Sequence, residues 1–495
     1  MRRARPRQQP RWRRRLEDAL RRRLPEPWFR ALVQAYQVLK NRYRLALLGF
    51  KAHAEQRSLA KGELPVVVNF DFYSWTGADL GGFLAEELRG RAAVIDRSMA
   101  WREFEEAGRA SGFVFDPDRY QELCWDGLRL WEICKVSICK HTGRLVHRGE
   151  ALSGEALEVV ERYYRWAVGC HAMVSRILDT YSPATLLVCQ GGVYDSRVVA
   201  ELGRRRRINV VAVENSFVGS HFLADSLSGM IINRHGIAAI GDFALECEAL
   251  NLEQMRSRVE AFCLTAAGSK RDEHRTGGID GEAQVRAALS IPEGRRIVLF
   301  LGQVRTDASV VLDSTLYPDP VALVGELARF VGEVPDLHLV VRLHPKEATP
   351  TRYSREGRHV DVYDDISYKA LKQAGLARLD RVHIVHSPNV STYTLMDMSE
   401  LGVTINSQSG LEMALRGKRV ITAGRCFYAG KGFSWSLQSP SLLSRTLELA
   451  LEEPSLCDAE LEALHRFCYY LFFEYLIPKD LRSGTERLIQ LCLPR

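Results

Sequence analysis

His344-Pro345 ends the apolar run LHLVVRLHP, and the residue types gathered there suit an anion. Proline cannot extend a hydrogen-bonded ladder, so the chain turns at that point and leaves the imidazole at a sheet edge. A neutral imidazole can donate one N–H to a phosphate oxygen, and Arg342 and Lys346 keep the surroundings positive. Further on, NSQSGLEMALRGK places Asn406, Ser407, Gln408 and Ser409 after a strand-like run and before a helical one. Small hydroxyls and N–H groups at the start of a helix attract anions. An ordinary N-cap accounts for Ser409 but not for the whole cluster. Glu412 follows in the first turn, where it can accept from ribose or base hydroxyls, and GRCFYAGKGFSW adds Tyr428, Gly430 and Gly432 as a flexible aromatic loop.

Other chemistries lack their residues. GLEMALRGKR and GRCFYAGKG have the wrong spacing for a nucleotide-triphosphate loop and no Ser or Thr after the lysine, and no GxGxxG follows a strand. The eleven cysteines are scattered without a CxxC, so they read as reduced thiols of a cytoplasmic protein. Neither clustered cysteine and histidine ligands nor an acidic pair at a strand end calls for a metal. No cofactor is expected.

Positioning these groups requires a scaffold, and 495 residues exceed what one core usually organises. Strand-sized runs alternate with helical stretches twice along the chain, which predicts an α/β protein with two parallel sheets. LPVVVNFDFYSW opens the first unit, and AAVIDRS, ATLLVCQGG and INVVAVENS continue it. RRIVLFLGQ, LHLVVRLHP, RVHIVHS, GVTINS and KRVITAG build the second. The expected domains are 62–270 and 286–438, with a polar, glycine-rich linker over 265–285 and a helical, aromatic tail over 439–495. Ligands of open α/β sheets sit beyond the carboxyl ends of the strands, so the site belongs there.

Charge is uneven. Residues 1–61 carry 18 Lys/Arg against 4 Asp/Glu, whereas the rest holds 50 against 57. The mildly acidic body argues against nucleic acid as a partner. In the extension, Trp28, Phe29, Leu32, Val33, Tyr36, Leu39 and Tyr43 recur at helical spacing between basic residues. Such a helix either lies on an anionic membrane surface or packs on the first domain with its basic face solvated. No apolar run reaches the roughly 18 residues of a membrane-spanning helix.

The segments FLGQVRTD (300–307), RLHPKE (342–347), 389–421 and FYAGKGFSW (427–435) together resemble the bacterial capsule polysaccharide biosynthesis family, which includes β-Kdo transferases. The resemblance implies a GT-B glycosyltransferase, two Rossmann-like domains facing a cleft. It also implies a CMP-sugar donor, CMP-Kdo, and a lipid or glycan acceptor at the inner membrane. By position it puts His344, with Pro345, and Ser407 and Ser409 at the donor phosphate, Glu412 nearby, and Gln303 and Asp307 along the same cleft. VVAVENSFVG resembles the family's strand ending in an acidic pair and glycine, but Asn215 and Ser216 replace the second acid and the glycine. Glu214 is then the first candidate for the catalytic carboxylate, with Asp225 or Asp71 as alternatives. Two other readings stay open: a non-catalytic nucleotide-sugar-binding protein of capsule assembly or export, and a transferase for another nucleotide sugar.

Overall fold

The computed structural model describes residues 64–70, 78–97, 101–216, 218–226, 251–274, 279–348, 352–355 and 359–493. The chain divides into Met1–Pro65 and a body, Val66–Arg495. The basic extension and Asp71 lie outside the described residues.

The apolar runs of the first half become β1 (Val66–Phe70) and β2 (Ala93–Asp96), a short hairpin of β3 (Cys124–Trp125) and β4 (Leu128–Arg129), then β5 (Thr185–Cys189), β6 (Asn209–Asn215) and β7 (His221–Asp225). The second half supplies β8 (Arg296–Leu301), β9 (Leu337–Arg342), a hairpin of β10 (Arg352–Arg355) and β11 (His359–Val362), β12 (Val382–Val385), β13 (Leu401–Thr404), β14 (Arg419–Thr422) and β15 (Trp435–Ser436). A last strand, β16 (Ile477–Pro478), lies in the tail. Two six-stranded sheets result, ordered β16-β7-β6-β5-β1-β2 and β12-β9-β8-β13-β14-β15. Strands β1, β5 and β9 are buried along their whole length, as parallel strands covered by helices on both faces must be. This is the doubly wound α/β architecture, built twice.

Three elements differ from the reading of the sequence. The second sheet is parallel throughout, but the first gains β7, antiparallel to β6, from a stretch whose short apolar run HFLAD gives little signal. The linker expected at 265–285 is helical as far as His274, because TAAGSKRDEH holds good helix formers and its polarity alone does not break a helix. The tail packs back as expected but also pairs with the first sheet, β16 running antiparallel to β7. Cys492 and Leu491 accept through their carbonyls from Thr185 Oγ1 (2.9 Å) and Asn209 Nδ2 (2.7 Å).

The sheets share a core. One apolar cluster joins Leu223 of β7 to Met255 and Val259, then to Leu299, Val420 and Phe427, and to Phe467 and Phe472 of the tail. A second link brings the two carboxyl rims together. In the helix Leu130–Thr142, Ser137 Oγ accepts from the Tyr194 N–H (3.1 Å), at the start of the helix that follows β5. The adjacent Val136 packs on Ala308, the first residue of the helix that follows β8. Residues 136 and 137 thus lie against both rims. Among the described residues no helix is long and apolar enough to cross a membrane.

Candidate functional site

The rim of the second sheet is drawn tight by backbone contact. After β8 the Gly302 N–H donates to the Arg342 carbonyl at 2.8 Å, and a Cβ at residue 302 would lie only 2.8 Å from that oxygen. Glycine lets β8 and β9 converge, which sets Gln303 beside the ends of its neighbours. Gln303 Nε2 donates to Ser309 Oγ (2.8 Å), and its Oε1 accepts from the Asn406 N–H (3.4 Å). Asp307 caps the helix Ala308–Asp313 by accepting from the Ser309 N–H (2.9 Å) and hydroxyl (2.8 Å). Asn406 Nδ2 reaches the Ser309 carbonyl (3.0 Å), while its buried Oδ1 has no hydrogen-bond partner.

The serine turn is held from inside. The Ser407 N–H donates to Thr404 Oγ1 (3.0 Å) and the Ser409 N–H to Ser407 Oγ (3.2 Å). Tyr428 donates its hydroxyl to the Ser407 carbonyl at 2.7 Å. Tyr428 is fully buried, with Phe433 stacked at 6.3 Å, so it braces the turn from behind instead of lining an open mouth. Burial also pushes its phenol well above the usual range. The approach explains Gly410: a Cβ there would sit 1.9 Å from the Tyr428 hydroxyl. Glu412 is half-buried on the same short helix, close enough for its charge to act on Tyr428 and Cys263.

Arg342 gives the rim its charge, and His344 stands two residues on. Arg342 is 3% exposed, with Nε on Thr392 Oγ1 (3.0 Å) and Nη1 on the Ser387 carbonyl (2.8 Å). Its Nη2 has no hydrogen-bond partner, and burial pushes its pKa down to about 10. No carboxylate pairs with it among the described residues. His344 is half-buried, and its Nδ1 accepts from the Lys346 N–H at 3.2 Å. In the neutral ring the proton is therefore on Nε2. Pro345 and exposed Lys346 belong to a single 3-10 turn, Pro345–Ala348, which also carries buried Glu347. Sequence reasoning passed over Glu347. It accepts from the Arg305 N–H (3.2 Å), the Ser367 N–H (3.1 Å) and the Ser367 hydroxyl (2.8 Å), joining the histidine turn to two neighbouring segments.

Across the rims, Glu214 is the penultimate residue of β6, half-buried at the carboxyl edge. Asp225 shares its sheet face but pairs with Ala212, well inside the sheet, beside the tail's Tyr475. Of the two, only Glu214 stands at the rim. Among the described residues no group of His, Cys, Asp and Glu could hold a metal ion.

Residues 265–471 match the family described as Capsule polysaccharide biosynthesis protein. No curated protein matches the sequence. Among solved structures the chain is similar to the Thermosulfurimonas dismutans KpsC β-Kdo 2,7 transferase, at 16% identity and a TM-score of 0.36 over 65% of this chain and 88% of that one. The β-Kdo 2,4 transferase of the same KpsC gives 15% and 0.37 over 63% and 88%. The S. aureus MnaA–UDP co-structure gives 9% and 0.31 over 86% and 94%. The architecture stands on its own strand order.

Proposed function

We propose that this chain, whose residues 265–471 carry the pattern of the capsule polysaccharide biosynthesis family, is a glycosyltransferase taking its sugar from a CMP-linked donor, CMP-Kdo, and passing it to a lipid or glycan acceptor. The observation that supports this most is the pairing of Arg342 and His344 at one rim. A buried guanidinium without a carboxylate, its Nη2 unsatisfied, two residues before an imidazole, suits an anion. The donor's phosphate supplies it.

In the reaction, an acceptor hydroxyl bonds to the anomeric carbon as the bond from that carbon to the phosphate oxygen breaks. CMP leaves with the bonding electrons, and the acceptor proton passes to a carboxylate. His344 and Ser409 stabilise the leaving phosphate. Glu214, at the facing rim, takes the proton. A lipid acceptor would also give the basic extension a membrane surface to lie on.

A nucleotide panel read by thermal shift tests the donor assignment. CMP is expected to raise Tm more than UDP, GDP or ADP, and His344→Ala to weaken CMP at least tenfold, about 1.4 kcal/mol. A response to UDP alone would replace the donor, and a His344→Ala protein that binds CMP normally would remove the phosphate assignment.

A further inference from the structure

We infer that Gln190, where β5 ends, binds the acceptor, its carboxamide taking a hydroxyl of a carbohydrate-like polyol beside Glu214; this rests on the transferase reading.

The backbone there is strained for the residue it carries. Gln190 has φ of +61°, a region that glycine enters freely and an unbranched side chain rarely adopts. Glycine follows at once in the sequence, and Gly191 has φ of +63°. A turn of this kind needs no glutamine. Strain of this sort persists where the surroundings impose it, most often at functional sites.

The side chain, meanwhile, does nothing visible for the fold. Its Oε1 is buried without a hydrogen-bond partner among the described residues, which carries a desolvation cost. The residue as a whole is partly exposed.

Its place is the reacting rim. The Gln190 N–H donates to the Val213 carbonyl at 2.7 Å, which sets it alongside Glu214. Four residues on, Tyr194 touches the helix that also touches the opposite rim at Ala308. A carboxamide is both donor and acceptor and carries no charge, so it matches a neutral hydroxyl and not the anionic half of a donor.

Gln190→Gly separates the alternatives, because glycine relieves the backbone while removing the carboxamide. With the full chain, Tm is expected to be unchanged or raised and the CMP-induced shift to be unaltered. Turnover is expected to fall at least tenfold, mostly through the KM of the acceptor, and Gln190→Asn to recover part of it. Turnover within twofold of wild type overturns the inference, as does a fall in Tm together with a loss of the CMP shift, which marks a structural residue. A wild-type protein that transfers nothing sinks the transferase reading and this inference with it. An active wild type with an active Gln190→Gly sinks this inference alone.

Discussion

Arg419→Ala is expected to destabilise the body by about 3–5 kcal/mol, the usual cost of breaking a buried ion pair on one side. Arg419 opens β14 and is 2% exposed. Its Nη1 and Nη2 meet the two oxygens of Glu460 at 2.6 and 3.1 Å. Nε donates to the Glu453 carbonyl (2.5 Å) and Nη2 also to the Ser455 carbonyl (3.1 Å), while the guanidinium lies 4.4 Å from the Trp435 ring centre. Burial alone would raise the Glu460 pKa, but its bonds to Arg419 and to the Cys457 N–H outweigh that and hold it low. Alanine would leave this carboxylate and two carbonyls facing a cavity. Arg419→Met fills more of the cavity and should cost less. Denaturant midpoints of the two variants against wild type measure the difference, and an Arg419→Ala midpoint equal to wild type would show the pair to be idle. The pair matters beyond stability because Glu460 belongs to the helix Asp458–Tyr470, from which the chain runs on to β16 in the other sheet. Loosening it should slacken the link between this helix and the first sheet.

What the sequence disclosed and what it hid follow from the same physics. Apolar runs such as RRIVLFLGQ and LHLVVRLHP have the length and composition of buried strands, so both sheets were readable. HFLAD is too short and mixed to announce β7, and its pairing is decided by β6. The serine turn was visible as residue types. That the Ser407 N–H would go to Thr404 and the Ser409 N–H to Ser407 was not, since hydrogen-bond partners are chosen by tertiary geometry. Two glycines near Tyr428 suggested mobility, yet packing against Phe427 and Phe433 makes the tyrosine part of the core. Gln190 could have been suspected only from QGG directly after a strand, since composition does not give the φ of a single residue.

Glu347→Ala is expected to cost about 3 kcal/mol or more, because it removes the acceptor of three donors, each worth about 1–3 kcal/mol when left unsatisfied and buried. It should also weaken CMP, since the turn that orients His344 loses its anchor to Arg305 and Ser367. A pH experiment separates the two roles of this carboxyl. Glu347 is 1% exposed, and burial pushes its pKa up to about 7 from an ordinary 4.5, with nearby Asp365 adding to the shift and the bonds from Ser367 and Arg305 opposing it. A raised folded-state pKa means that its contribution to stability is complete below about 4.5 and is lost as pH rises through about 7. Glu347→Gln removes the titration while keeping the size. The Tm of Glu347→Gln relative to wild type should therefore rise between pH 4.5 and 7 and then level off. The stacked pair of buried His338 and half-buried His383 contributes the opposite slope, because desolvation pushes both down, His383 to about 4, so acid costs stability there. That slope is common to wild type and variant and cancels in the difference. A difference that stays flat across the window would mean that Glu347 is ionised throughout, with its three donors outweighing burial. The histidine turn would then be anchored by a fixed charge, and CMP affinity would not vary with pH through this residue.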